Sequence, residues 1–306
     1  MNDAIGSSQA KCLLFIHART SLHPGSGAAL GVVDLPVQRE RHTHWPLIPG
    51  SSLKGVLRDA CGRGCTQDQK EKIPLVFGPE TKDADKHAGA ISFTDARILA
   101  FPVRSLKGVF AWITCDSVLR RFARDAKMAG LDGPTAPGPA EKNKAICAAN
   151  APLLVNGTQI VLEEFEFAKQ ADAPAGWSDA LARLVFRDED ERPMFRDRLV
   201  VLHDDDFGHF VRHATEVVAR IGLDAATKTV KNGALFYQEF LPTETLLYSV
   251  VIANASRNGR AMAASDVLKF VSDGEPGIPE ILQIGGDETI GKGLCAVHFS
   301  NGKGGA

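Results

Sequence analysis

The densest run of chemistry-bearing side chains lies between His17 and Arg63, with six Lys/Arg, four His and only three acids. Within it, VVDLPVQRERHTHWPLIPGSSLKGVLRD (residues 32–59) places a carboxylate, Asp34, ahead of a basic, histidine-rich segment containing Arg39. A Gly-Ser-Ser turn then feeds a helix. A helix N-terminus offers unpaired N–H groups and a partial positive charge. Gly50, Ser51 and Ser52 open this helix, and Lys54 and Arg58 stand four apart on one face of it. Together they would cradle successive backbone phosphates. The plain alternative is a capped surface helix with two solvated cations. GSSLKG departs from G-x-x-x-x-G-K-[ST], which argues against a nucleotide triphosphatase. Upstream, Gly25, Gly27 and Gly31 let the backbone approach a ligand closely. Taken alone, Asp34 reads as a turn former and His23 as a structural histidine. Asp34 stands out by its setting: an acid in a phosphate-seeking patch costs affinity unless it does something, such as holding a metal ion.

Two later stretches carry chemistry of the same kind. QIGGDETIGKG (residues 283–293) puts Gly285, Gly286, Gly291, Gly293 and Lys292 in one basic loop, although a tight strand-to-strand turn would also need glycine. TKTVKNGALFYQEF (residues 227–240) reads as a hairpin turning at Asn232-Gly233. Lys228 and Lys231 would sit near its tip, and Phe236, Tyr237 and Phe240 could press on bases. An ordinary hairpin packing its aromatics on the core is the alternative. Cys61 and Cys65 form a single C-x3-C, whereas a structural zinc needs about four ligands. They read as helix-end thiols.

The 306 residues suffice for two ordinary domains or one composite one. Hydrophobic content of 44% and charged content of 24% are those of a soluble globular chain with a real core. No run of about 18 apolar residues suggests a membrane span, and CLLFI near the start is too short for a signal peptide. A cytoplasmic protein with free thiols is expected. A net charge of −2 argues against a polycation but leaves room for a local basic groove.

Around these residues the elements alternate irregularly. Lys11 to Ser21 is expected as a strand, and residues 49–62 as a helix capped by Ser51 or Ser52, with Leu53, Val56, Leu57 and Ala60 as its apolar stripe. Strands at AGAISFTDARILA and SLKGVFAWITC precede an amphipathic helix, DSVLRRFARDAKMAG. LDGPTAPGPAEKN reads as linker, TQIVLEEFEFA as one strand, and 170–198 as an insertion with a helix near Ala180 to Phe186. Then come strand, Asp-capped turn and helix (198–217), the hairpin, strand, helix and the glycine loop between two short strands. This is α+β rather than a doubly wound sheet. Two fused ferredoxin-like units, each of antiparallel strands backed by helices, fit it. They would form a single composite domain over 1–306, with an N-terminal part (1–129), a linker and insertion (130–198) and a C-terminal part (199–306).

In this order, HPGSGAALGVVDLPVQRERHTHWPLIPGSSLKGVLRD, FTDARILAFPVRSLKGVFAWITC, VKNGALFYQEFLP and LQIGGDETIGKG resemble the RAMP superfamily of CRISPR proteins. More narrowly, they resemble the backbone subunits of type III-B (Cmr) effector complexes. The resemblance covers most of the chain and is least diagnostic from Gly130 to about Arg198. It implies a ferredoxin-like palm with a projecting thumb hairpin (Lys228, Lys231, Phe236, Tyr237). Copies would stack along a guide RNA beside other Cmr subunits, holding its backbone through Gly50, Ser51, Ser52, Lys54, Arg58, Arg39, Lys107, Gly285, Gly286 and Lys292. Target RNA paired to the guide would be kinked by the thumbs and cut at each kink. By motif the cleaving aspartate is Asp34, holding Mg²⁺ or Mn²⁺, with His23 close by. Phe240 stands where the family often has Tyr, so no catalytic role is carried over there. Two rivals remain: a guide-binding scaffold that cuts nothing, and a metal-independent, histidine-based endoribonuclease that processes the guide precursor.

Overall fold

In a computed structural model, residues 9–29, 31–80, 87–257, 262–273 and 277–300 are described. The two ends of the expected 1–306 domain lie outside them. The first strand, β1 (Gln9–Ala18), is buried from Cys12 onward. Its run CLLFI lacks polar alternation because both faces are covered. After β2 (Leu47–Ile48), helix α1 (Gly50–Gly64) buries Leu53, Leu57, Ala60 and Cys61 along one stripe. Short helices α2 (Gln67–Lys70) and α3 (Ile73–Phe77) lead to β3 (Ile91–Phe93), β4 (Ala96–Arg104), β5 (Phe110–Cys115) and α4 (Asp116–Met128). The middle of the chain holds β6 (Lys144–Cys147), β7 (Gln159–Leu162), β8 (Phe165–Asp172), α5 (Trp177–Val185), α6 (Arg192–Arg198), β9 (Leu199–Leu202) and α7 (Asp204–His213). Then follow β10 (Glu216–Leu223), β11 (Val230–Phe240), β12 (Leu246–Asn254), α8 (Ala264–Ser272), β13 (Ile281–Gln283) and β14 (Leu294–Ser300).

All strands except β10 and β11 join one 12-stranded sheet in the order β13-β14-β1-β12-β4-β5-β9-β6-β8-β7, with β2 on β4 and β3 on β12. In β14-β1-β12-β4 every neighbouring pair is antiparallel, and α1 and α8 lie in the connections β1–β4 and β12–β14. Strand β4 links the two halves: its first part pairs with β12, and Phe101–Arg104 pair with β5. Beyond β5 the sheet includes the parallel pairs β5–β9 and β6–β8. The second half is therefore not the all-antiparallel unit expected, and the two units merge in one sheet.

Three further expectations are revised. The stretch read as linker and insertion, 130–198, contributes β6, β7 and β8 to the sheet. The single strand expected over 158–168 is a tight hairpin, with Glu163 at φ 50 in its turn. The later hairpin turns at 224–229, not at Asn232-Gly233. Asp224 Oδ1 accepts from the amides of Ala226 and Thr227 at 2.9 Å each, closing the tip. Residues 231–234 of β11 instead form an irregularity between the pairs Ile221↔Leu235 and Leu223↔Val230.

Candidate nucleic-acid interface

β10 and β11 make their own two-stranded sheet. The outer part of this hairpin exposes Ile221, Leu223, Val230 and Leu235, and nearer the root Val217 and Tyr237 are exposed as well. Lys228 and Lys231 are exposed at and just beyond the tip, and Phe236 is half-buried. At the root, the edge of β11 not taken by β10 receives two segments from the start of the chain. Leu22 and Leu241 exchange backbone hydrogen bonds at 2.9 and 2.8 Å. Leu35 lies parallel to Gln238, donating to Tyr237 O and accepting from Glu239 N at 3.0 Å each.

This docking positions both residues of the expected cleavage site. Asp34 Oδ2 accepts from the Tyr237 amide at 2.7 Å. Its Oδ1 has no hydrogen bond among the described residues, and the side chain is half-exposed. His23 is 8% exposed, and its Nδ1 lies 2.7 Å from Glu239 O. A carbonyl can only accept, so Nδ1 is the nitrogen that carries a proton. The ring sits 5.5 Å from that of Phe240. Nε2 faces Gly25, where a Cβ would stand 2.7 Å away, so only glycine fits. The anchors of Asp34 and His23 are two residues apart on one edge of β11, roughly 7 Å of strand. The two side chains do not touch; they flank a common edge.

Glu239, which sequence reading passed over as a functional residue, holds this arrangement. It is 5% exposed. Its carboxylate accepts from Val37 N (2.9 Å), Arg39 Nη2 (2.5 Å) and Thr215 Oγ1 (2.8 Å). Arg39 also donates to the carbonyls of His44 and Val211. The guanidinium expected on RNA is thus engaged inside the protein. The only signal for Glu239 in the sequence is a polar pair, Gln238-Glu239, within an aromatic strand.

The start of α1 differs from expectation as well. Its N-cap is Pro49, without a side-chain cap. Asp95, from the turn before β4, accepts from Gly50 N at 2.8 Å. Ser51 and Ser52 are therefore exposed in the first turn rather than spent as caps. Lys54 is half-buried, and burial, then the nearby Arg58, hold its pKa below the usual lysine value. Arg58 donates to Pro79 O at 3.1 Å. The glycine loop closes against His23: Gly286 N donates to His23 O at 3.1 Å. Gly285 sits at φ +82, where a Cβ would come within 2.4 Å of the same oxygen. A pocket of about 250 Å³ lies between His23, Pro24, Gly25, Ile48, Pro49, Ser52, Gly285 and Gly286. Three stretches remote in sequence meet there. Lys292 lies beside it, its Nζ 5.0 Å from the centre of the Phe240 ring. Lys107 lies in the β4–β5 turn, outside the pocket lining, and donates to Leu154 O at 2.9 Å.

Among the described residues no group of three or more His, Cys, Asp or Glu is arranged to hold a metal. Burial, and then Cys65 beside it, push the Cys61 thiol up to about 12. A hard cation that keeps several waters and binds phosphate oxygens needs only one or two carboxylates, and the free Oδ1 of Asp34 fits that limited role. No described helix is long and apolar enough to cross a membrane.

Residues 15–296 match the RAMP superfamily. The CRISPR system Cmr endoribonuclease Cmr4 of Pyrococcus furiosus is 40% identical over 288 residues, covering 93% of this chain and 94% of that protein. The CRISPR system CMR subunit Cmr4 of Saccharolobus solfataricus is 25% identical, over 94% of this chain and 96% of that one. The crystal structure of oligomeric Cmr4 from Pyrococcus furiosus superposes with a TM-score of 0.70 at 32% identity, covering 96% and 98% of the two chains. With a family match across nearly its whole length and a 40% identical relative of almost equal extent, the chain belongs to the RAMP superfamily.

Proposed function

We propose that this chain is the backbone subunit of a cytoplasmic type III-B CRISPR complex, binding guide RNA and cutting the complementary target. The observation that carries this reading is the convergence at the root of the exposed hairpin. There a carboxylate with one free oxygen and a histidine bonded through Nδ1 dock on one edge of β11, and the histidine lines a glycine-rich pocket at the start of α1. The endoribonuclease name of the 40% identical relative, and the oligomeric state of a solved one, support it. The order β14-β1-β12-β4, with α1 and α8 as crossovers, supports a ferredoxin-like palm.

On this reading Ser51, Ser52, Lys54, Gly285, Gly286 and Lys292 hold guide phosphates, and pairing to the guide selects the target. The hairpin wedges the paired strand apart, and one target phosphate is presented beside Asp34. In-line attack by the adjacent ribose 2′-oxygen forms a new P–O bond as the bond to the 5′-oxygen breaks. That oxygen leaves with a proton. Alignment of attacking and leaving oxygens supplies much of the rate. His23, with Nδ1 held by Glu239 O, offers Nε2 as the group that takes up a proton. A divalent cation, Mg²⁺ or Mn²⁺, would be held by Asp34 Oδ1 together with RNA phosphate oxygens, and would neutralise developing charge.

The test is the complex assembled with guide RNA and Asp34→Asn. Asparagine retains an acceptor for the Tyr237 amide, so the loop should dock as before. The variant should bind guide and target normally yet cut about 10²–10³ more slowly. Cutting at the parental rate in Mg²⁺ or Mn²⁺ would leave a scaffold. Cleavage of guide precursor without target or metal would point to a processing enzyme.

A further inference from the structure

Between the α5–α6 connection, β1 and β14 lies a second pocket of about 330 Å³ lined by His17 and His298. Its charges are of both signs and largely paired with each other, which selects no ligand. A more definite arrangement lies where the glycine loop meets the hairpin. We infer that Asp287 is a positioning residue, tying the glycine-rich loop to both strands of the thumb and so setting the posture of the β11 edge that carries Asp34.

Three features of Asp287 support this. Its carboxylate spans the hairpin: Oδ1 accepts from Arg220 Nη2 of β10 at 3.2 Å, and Oδ2 from Gln238 Nε2 of β11 at 2.6 Å. Gln238 is 4% exposed, so its amide needs this acceptor. The backbone of Asp287 organises the loop, its carbonyl accepting from Ile290 N and Lys292 N at 3.2 Å each. Its φ of 66° is one that Asp and Asn adopt more readily than other non-glycine residues. One residue thus shapes the loop that lines the pocket and grips the strand whose adjacent amide, at Tyr237, holds Asp34. RNA held by the loop and the thumb are thereby linked through a few bonds. This inference rests on the proposed cleavage function, but the tie itself is measurable without RNA.

Asn at 287 keeps the left-handed backbone and can still pair with a reoriented Gln238, while losing the charge that meets Arg220. Hydrogen exchange in the RNA-free full chain should speed up in β10 and β11 on Asp287→Asn, with the sheet strands unchanged. In the assembled complex at saturating target, Asp287→Asn and Arg220→Gln should each slow cleavage about tenfold or more, with guide and target affinity unchanged. The double variant should be no slower than the slower single one. Parental exchange and rate in Asp287→Asn would overturn the assignment. So would additive losses, or a parallel fall in guide affinity and melting temperature. A parental complex that cuts no target would overturn the proposed function instead, and hydrogen exchange would still decide the tie.

Discussion

Lys54 differs from a cation left in solvent. Burial and then Arg58 lower its pKa, so the charged form is less favoured folded than unfolded. That penalty is fully present below the folded pKa and is relieved as pH rises through it. Lys54→Met should therefore raise the melting temperature slightly at neutral pH, with the gain shrinking in strong alkali. The same variant should lower the slope of log affinity for guide RNA against log salt by roughly one unit. Filter binding over a salt series and thermal melts check the two halves, and an unchanged slope would place Lys54 off the RNA. At His298, burial and then Arg187 lower the pKa below 6.5, while the neutral ring stacks on Phe15 with centroids 5.8 Å apart. Its contribution is present above pH 6.5 and is lost as pH falls through the folded value. Melting temperatures should fall below pH 6.5, and His298→Phe should flatten that fall.

The hairpin differs from the other strands in having no layer against it. A two-stranded ribbon alone is marginal in water, and it carries exposed apolar side chains on its outer part. Its root is secured by the segments at Leu22 and Leu35 and by Glu239, so the outer part contributes little to the core. Joining Ile221 to Leu235 through Asn-Gly, in place of 222–234, should leave the melting temperature nearly unchanged. It should impair target cleavage more than guide binding. Equal loss of both, or a chain that no longer folds, would show a hairpin integral to the core.

Across the whole molecule, the two ends of the chain are stitched together. β1 lies between β12 and β14, so a strand from the first twenty residues is flanked by two from the last third. Leu14 is 1% exposed in that strand. Leu14→Ala should cost about 2–5 kcal/mol, read from the urea midpoint. Fragments split after Ala129 should not fold apart. A molecule of net charge −2 can still line one basic groove.

Features that depend on neighbours along the chain were legible in the sequence. The apolar run of β1, the stripe of α1 and the glycine loop between β13 and β14 follow from local periodicity and local backbone need. The motifs around Asp34, Gly50 and Gly285 likewise pointed to one family. Tertiary structure decided what distant partners decide. Asp95 takes the Gly50 amide, which frees Ser51 and Ser52 from capping. Glu239 pairs with Arg39 inside the protein. Asp224 closes the tip, which overrides the turn signal of Asn232-Gly233. Asp34 is held by a hydrogen bond to Tyr237, 203 residues away, beside the two backbone bonds of Leu35 to the same strand. No spacing rule reaches that far, because the bond exists only once the sheet has brought both ends of the chain to the root of one hairpin.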